Sequence, residues 1–269
     1  MKSRNAFTLV ELLVVIGIIA LLISILLPAL NKARDNANTV ACLSNMRQFT
    51  AASANYAAEN KGYIIPCGTP KAGWWCNIMV DNKYLTYTGD GGTSPQVKSI
   101  FFCPSGNQEF FPPDLTNSGT VPSSRTDARG AMATQHTSPI SRIRIDLWYG
   151  MNADEGSSTT RGAPCRRIQT TDDRLTTMNM VRRSSETVMF YDGLIYHELE
   201  VNANRINARH GRGKQTNLAF FDGHAETFFT KDLPGGMGTK DTTETKQVFS
   251  LTNLNSKYPR PLWLLDQQR

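Results

Sequence analysis

The chain has 269 residues, enough for one sizeable domain or two, with a buried core. Apolar residues make up 40% and aromatics 9%, which excludes a chain disordered throughout. The formal charge of +6 is spread thinly, with no run of five Lys or Arg, so the composition does not favour nucleic acid as a partner.

The first element is an apolar run, Phe7 to Leu30, of 24 residues. As a helix it reaches roughly 36 Å, enough to cross a hydrocarbon core of about 30 Å. Its polar or helix-weakening positions are Thr8, Glu11, Gly17, Ser24 and Pro28. A cleaved secretory signal has a shorter apolar core, about 7–15 residues, and an A-x-A site that is not evident here. A plain signal anchor fits the length but leaves Glu11 unexplained. A carboxylate in hydrocarbon costs up to about 3 kcal/mol, so an acid in such a run is expected to have a cationic partner and a function. The flanking charges do not orient the segment: Lys2 and Arg4 precede it, Lys32 and Arg34 follow it.

The stretch AFTLVELLVVIGIIALLISILLPAL closely resembles the N-terminus of type IV pilins and of the pseudopilins of type II secretion. The resemblance implies a leader at residues 1–6, cleavage between Ala6 and Phe7 by a prepilin peptidase, and N-methylation of Phe7. It makes Glu11 the assembly glutamate, fifth in the mature chain, and Pro28 the helix-bending proline. Ala6 departs from the glycine usual before the cut. Cleavage creates an amine at Phe7, and in a filament the Glu11 carboxylate of one subunit would meet the Phe7 amine of its neighbour. An unpaired buried charge is strongly unfavourable, so assembly would satisfy a group that is costly in a lone subunit.

Residues 31–61 continue as an amphipathic helix. Val40, Leu43, Met46 or Arg47, Phe49 or Thr50, and Tyr56 recur at helical steps, and frequent alanines favour helix. Gly62 reads as its stop. The head, 62–269, alternates short strands with polar loops. WWCNIMVDNKYL reads as a short helix turning Trp75, Ile78, Met79 and Leu85 to a core. IRIDLWYG reads as one strand, with Ile143, Ile145, Leu147 and Tyr149 on one face and Arg144, Asp146 and Trp148 on the other. Strands are also expected at 185–193 and 217–223, the second opening a hairpin whose Asp222-Gly223 pair supplies positive φ to a tight turn. Residues 104–139 and 233–245, rich in Ser, Thr, Pro and Gly, read as surface loops. The expected class is α+β: a long N-terminal helix packed on an antiparallel β-sheet head.

The head is similar to large-headed pseudopilin-like proteins carrying a histidine, about nine residues, then Asp-Gly. The matching pieces are ACLSNMRQFTAASANYAAENKGYI, FFCPS, WYGMN, SETVMFYDG and RHGRGKQTNLAFFDGHAETFF. Here eleven residues separate His210 from Asp222.

Asp192, His210, Asp222 and His224 are the candidates for a metal site. Calcium wants about 6–8 oxygen ligands and takes histidine poorly. Zinc would accept His210, His224 and Asp222, but no tight ligand spacing is present. Calcium, which secretion pseudopilins can carry in a head loop, is the ion the resemblance suggests; the plainer reading is a turn at Asp222-Gly223 and a locally packed His210, with no cofactor. No G-x-S-x-G, H-E-x-x-H or P-loop pattern points to an enzyme. None of the five cysteines forms a C-x-x-C pair. The family resemblance suggests a Cys42–Cys103 disulfide; Cys67 and Cys76 lie near enough in sequence to staple the loop around Trp74 and Trp75, and Cys165 is left over.

The resemblance implies a structural subunit of a type II secretion-like or type IV pilus-like filament. It would sit once through the bacterial inner membrane, N-terminus cytoplasmic and head periplasmic. Its partners would be the prepilin peptidase, other pilin or pseudopilin subunits and the inner-membrane assembly platform. The alternative is a pilin-like binding module for DNA uptake or adhesion, which would present aromatics such as Trp74 and Trp75 on an exposed loop.

Overall fold

The computed structural model describes residues 8–87, 99–105, 134–137, 140, 144–147, 149–154, 163–166, 168, 175–193, 206, 209–233 and 260–265. The leader, Ala6, Phe7, Ile143, Trp148 and most of both expected loops lie outside them. The chain forms two compact units, Met1–Ala37 and Asn38–Arg269.

Helix α1, Leu9–Glu59, runs through both units. In the first unit, residues 9–30 are exposed on every side, although almost all of them are apolar. A helix with no polar face cannot sit on a soluble core, and this one is long and apolar enough to cross a membrane. Pro28 lies inside the helix without ending it. The helix closes with Lys61 and Gly62 at φ of 56° and 81°, and the Gly62 N–H reaches back to the Ala57 carbonyl at 2.8 Å. That left-handed turn is where glycine is favoured over residues bearing a Cβ.

In the second unit α1 buries Cys42, Met46, Phe49, Ala52, Ser53 and Ala57, one stripe at three- and four-residue steps. Leu43 and Tyr56 are partly buried against it. Val40 is exposed, contrary to the sequence pattern: two residues before Cys42 is about 200° around the helix, on its far face.

After α1 come β1 (Gly68–Thr69), β2 (Gly73–Trp74), α2 (Trp75–Asp81), β3 (Thr134–Thr137), β4 (Arg144–Leu147), β5 (Tyr149–Met151), β6 (Ala153–Asp154), β7 (Cys165–Arg166), β8 (Val188–Asp192), β9 (Gln215–Phe220) and β10 (Ala225–Phe229). Strands β10-β9-β8-β5 form one antiparallel sheet in that order. Three two-stranded pairs accompany it, β1–β2, β3–β4 and the parallel β6–β7. The class is α+β.

Three strand expectations change. The run IRIDLWYG is two strands serving two sheets, since β4 pairs with β3 while β5 pairs with β8. Periodicity of two persists across such a break and cannot reveal it. Strand β3 lies inside the expected loop 104–139: its threonines are β-branched and hold a ladder once β4 is alongside. The β9–β10 turn has three residues, 221–223, because Ala225 pairs with Ala219 and the Phe220 N–H meets the His224 carbonyl at 3.0 Å. Only Gly223 has positive φ, 97°, the left-handed position that ends a three-residue hairpin loop.

The sheet is covered on both faces, so every residue of β8 is buried. On one side Phe49 packs its ring 5.1–5.7 Å from those of Tyr149, Phe101, Trp75 and Phe190. On the other, Val188, Tyr191, Leu218 and Phe220 meet Trp263 and Leu264 from the C-terminal segment. The first of these clusters packs Met189 and Phe190 of β8 and Ala219 of β9 against α1.

Candidate functional site

In the first unit, Thr8 stands just ahead of α1 and Glu11 is three residues on. The Thr8 N–H and hydroxyl donate to Glu11 Oε2 at 2.9 and 2.8 Å, and the Glu11 N–H donates to Thr8 Oγ1 at 3.2 Å. This reciprocal arrangement is a capping box, and its T-x-x-E signature is legible in TLVE. It satisfies orphan donors of the first helical turn and places the carboxylate at the positive end of the helix dipole. Around it Leu9, Val10, Leu12 and Leu13 are exposed, so the segment offers an apolar surface with one acid at its end.

In the second unit, four segments bring polar side chains together under the apolar core. Cys42 and Thr39 come from α1, Cys103 and Ser105 from the stretch after Phe101, Asp192 from the end of β8, and Arg209 and His210 from the approach to β9. His210 and Gln215 exchange backbone hydrogen bonds of 3.0 Å, closing a turn in which Gly211, Arg212 and Gly213 all have positive φ. That turn aims His210 inward.

Cys42, Cys103 and Asp192 are completely buried and His210 is 2% exposed. The two sulfurs lie 2.8 Å apart, and Cys103 Sγ is 3.8 Å from His210 Nε2. His210 Nε2 is also 3.0 Å from Asp192 Oδ2, which accepts the Asn217 N–H at 2.9 Å. His210 Nδ1 faces the hydroxyls of Thr39 and Ser105, each at 3.2 Å. Arg209 lies on the other carboxylate oxygen at 3.9 Å and donates to the Gly193 carbonyl at 2.6 Å.

The electrostatics follow from that packing. Burial works to lower the His210 pKa, but the charge and hydrogen bond of Asp192 outweigh it and raise it to about 10. Burial works to raise the Cys103 thiol, yet hydrogen bonds from Cys42 and His210 bring it down to about 6. Cys42 is pushed up by burial and by the same hydrogen bond. These shifts favour deprotonation at Cys103 over Cys42 and protonation at His210. With both sulfurs inaccessible, the pair is suited to ligation or to reaction with each other, not to attack on an outside substrate.

The four residues singled out in the sequence divide into two pairs. Asp192 and His210 are buried together. Asp222 and His224 instead meet each other at 2.6 Å on the β9–β10 turn, both about one-third exposed, with the His224 ring stacked on Phe220. Sequence reading did not join Cys42 and Cys103 to His210, and it missed Arg209, Thr39 and Ser105. All five cysteines are buried, and none is drawn in a disulfide.

Residues 1–27 match the prokaryotic N-terminal methylation motif. Over 63 residues the chain is 36% identical to the type IV wide pilus major component PilA4 of Thermus thermophilus, an alignment covering 23% of this chain and 48% of that protein. Its N-terminal segment is thus similar to that of type IV pilins. The long helix packed against antiparallel sheets is an α+β arrangement consistent with a pilin fold. The chain spans about half the length of the curated relative it matches. No solved structure matches. The matched motif ends at residue 27, whereas the buried cluster lies in the second unit, beyond it.

Proposed function

We propose that this chain is a pseudopilin: a structural subunit of a type II secretion-like or type IV pilus-like filament. A prepilin peptidase cuts between Ala6 and Phe7, Phe7 is methylated, and the helix holds the subunit in the inner membrane with the head in the periplasm. The assembly platform then draws subunits into a filament through their N-terminal helices. The observation that carries this reading is the apolar helix exposed on every face, ending in Glu11, within the methylation motif. Exposed apolar area of this extent must be covered by lipid or by neighbouring helices.

In the filament Glu11 meets the new Phe7 amine of a neighbour. Mass spectrometry of the mature chain is expected to show a methylated Phe7 N-terminus, and Glu11→Ala is expected to abolish filament assembly in cells while leaving cleavage intact. An intact Met1 in cells containing the peptidase, or normal filaments from the variant, overturns the proposal. The adhesive alternative gains no support from its aromatic pair, because Trp75 is fully buried and Trp74 partly so.

A further inference from the structure

We propose that Cys42, Cys103 and His210 form a zinc site in the reduced head, with Asp192 beside it as the hydrogen-bond partner of the metal-free histidine.

The three ligand atoms lie within 4.8 Å of one another and all three residues are buried. Tetrahedral zinc, with Zn–S of about 2.3 Å and Zn–N of about 2.05 Å, sets its S and N ligands about 3.6 Å apart. Cys103 Sγ and His210 Nε2 stand at 3.8 Å. The two sulfurs, at 2.8 Å, must open to about 3.8 Å, a movement within reach of side-chain rotation.

The surroundings suit the same ion. With Nε2 on the metal, Nδ1–H points at the Thr39 and Ser105 hydroxyls, the outer hydrogen bond that orients a ligating histidine. Asp192 Oδ1 is buried, accepts no hydrogen bond and faces the Arg209 guanidinium at 3.9 Å. Charge selects the cation: two thiolates, one carboxylate and the Arg209 guanidinium sum to −2, which a divalent ion neutralises in a site shut off from water. Two sulfurs with an imidazole favour zinc over calcium or magnesium. The site ties α1 to the Phe101–Ser105 stretch and to the approach to β9 at once.

A Cys42–Cys103 disulfide, suggested by the family resemblance, uses the same sulfurs and excludes the metal. The test uses the full chain in detergent, reduced, loaded with zinc and desalted. Metal analysis is expected to find about one zinc per chain, falling to background in Cys103→Ser and His210→Ala and unchanged in His224→Ala. To keep the test independent of how the buried variants fold, the unaltered reduced chain is also stripped and titrated with cobalt. Thiolate-to-cobalt absorption in the near ultraviolet with strong tetrahedral bands in the visible supports the site. Absence of those bands, zinc retained by folded Cys103→Ser, or a chain that after reduction takes up no metal overturns it.

Discussion

Glu11 has a partner before any neighbour arrives. Thr8 donates to it twice, so the carboxylate of a single chain is hydrogen-bonded though it has no cationic partner among the described residues. A neighbour's amine would then compete with Thr8, so the driving force from pairing is smaller than for a bare acid. Removing the cap leaves the first turn loose: Thr8→Ala is expected to cost about 1 kcal/mol locally. Amide exchange at Val10–Leu13 in detergent should quicken roughly fivefold, and an unchanged rate would show that the cap contributes nothing. Residue type alone nominated Asp192, His210, Asp222 and His224 together. What separates them is burial: one pair lies at the end of a fully covered strand, the other on a hairpin turn.

Among the elements, α1 was legible because its signals are local: an uninterrupted apolar run, then a periodic stripe, then a glycine with positive φ. Strand boundaries were less so. Gly150 shows why. In β5 it stands directly opposite Tyr191 of β8, and a Cβ there would come within 2.3 Å of the tyrosine ring. Nothing around WYGMN announces that an aromatic from forty residues further on lies over this glycine. Gly150→Ala is expected to destabilise the head by about 1–3 kcal/mol through overpacking of a fully buried ring, read as a lowered urea midpoint with an unchanged m-value. An unaltered midpoint would mean that the sheet yields at this point. Phe49 is the counterpart on α1, legible as a stripe residue but not as the hub of four aromatic contacts.

At the scale of the molecule, the C-terminal segment completes the head. Leu262 pairs with both neighbours of Thr187: its N–H donates to the Glu186 carbonyl at 2.8 Å and its carbonyl accepts the Val188 N–H at 2.9 Å. Asn152, fully buried, donates to the carbonyls of Val188 and Trp263 at 2.8 Å each. Trp263 packs edge-on to Tyr191. A chain ending before Arg260 should therefore expose Val188, Tyr191, Leu218 and Phe220 and strand the Asn152 amide. Loss of cooperative unfolding, or a melting point lowered by ten degrees or more, is the expected result, and a head that melts as before would contradict this role. The sequence PRPLWLL carries no period long enough to mark it as strand or helix, and reading it as part of the core needed the sheet.

By itself, the sequence determined the membrane-length helix, the N-terminal methylation motif, the turn from an all-apolar to a one-sided helix, and the α+β class. Each rests on residues close together in the chain, where composition and spacing act directly. Only the tertiary structure decided that IRIDLWYG serves two sheets, that the tail closes the second core, and that Cys42, Cys103, Asp192 and His210 share one buried cluster. Those contacts join residues separated by tens to more than a hundred positions. Which of them meet is set by how the covered sheet excludes water, and no local pattern encodes it.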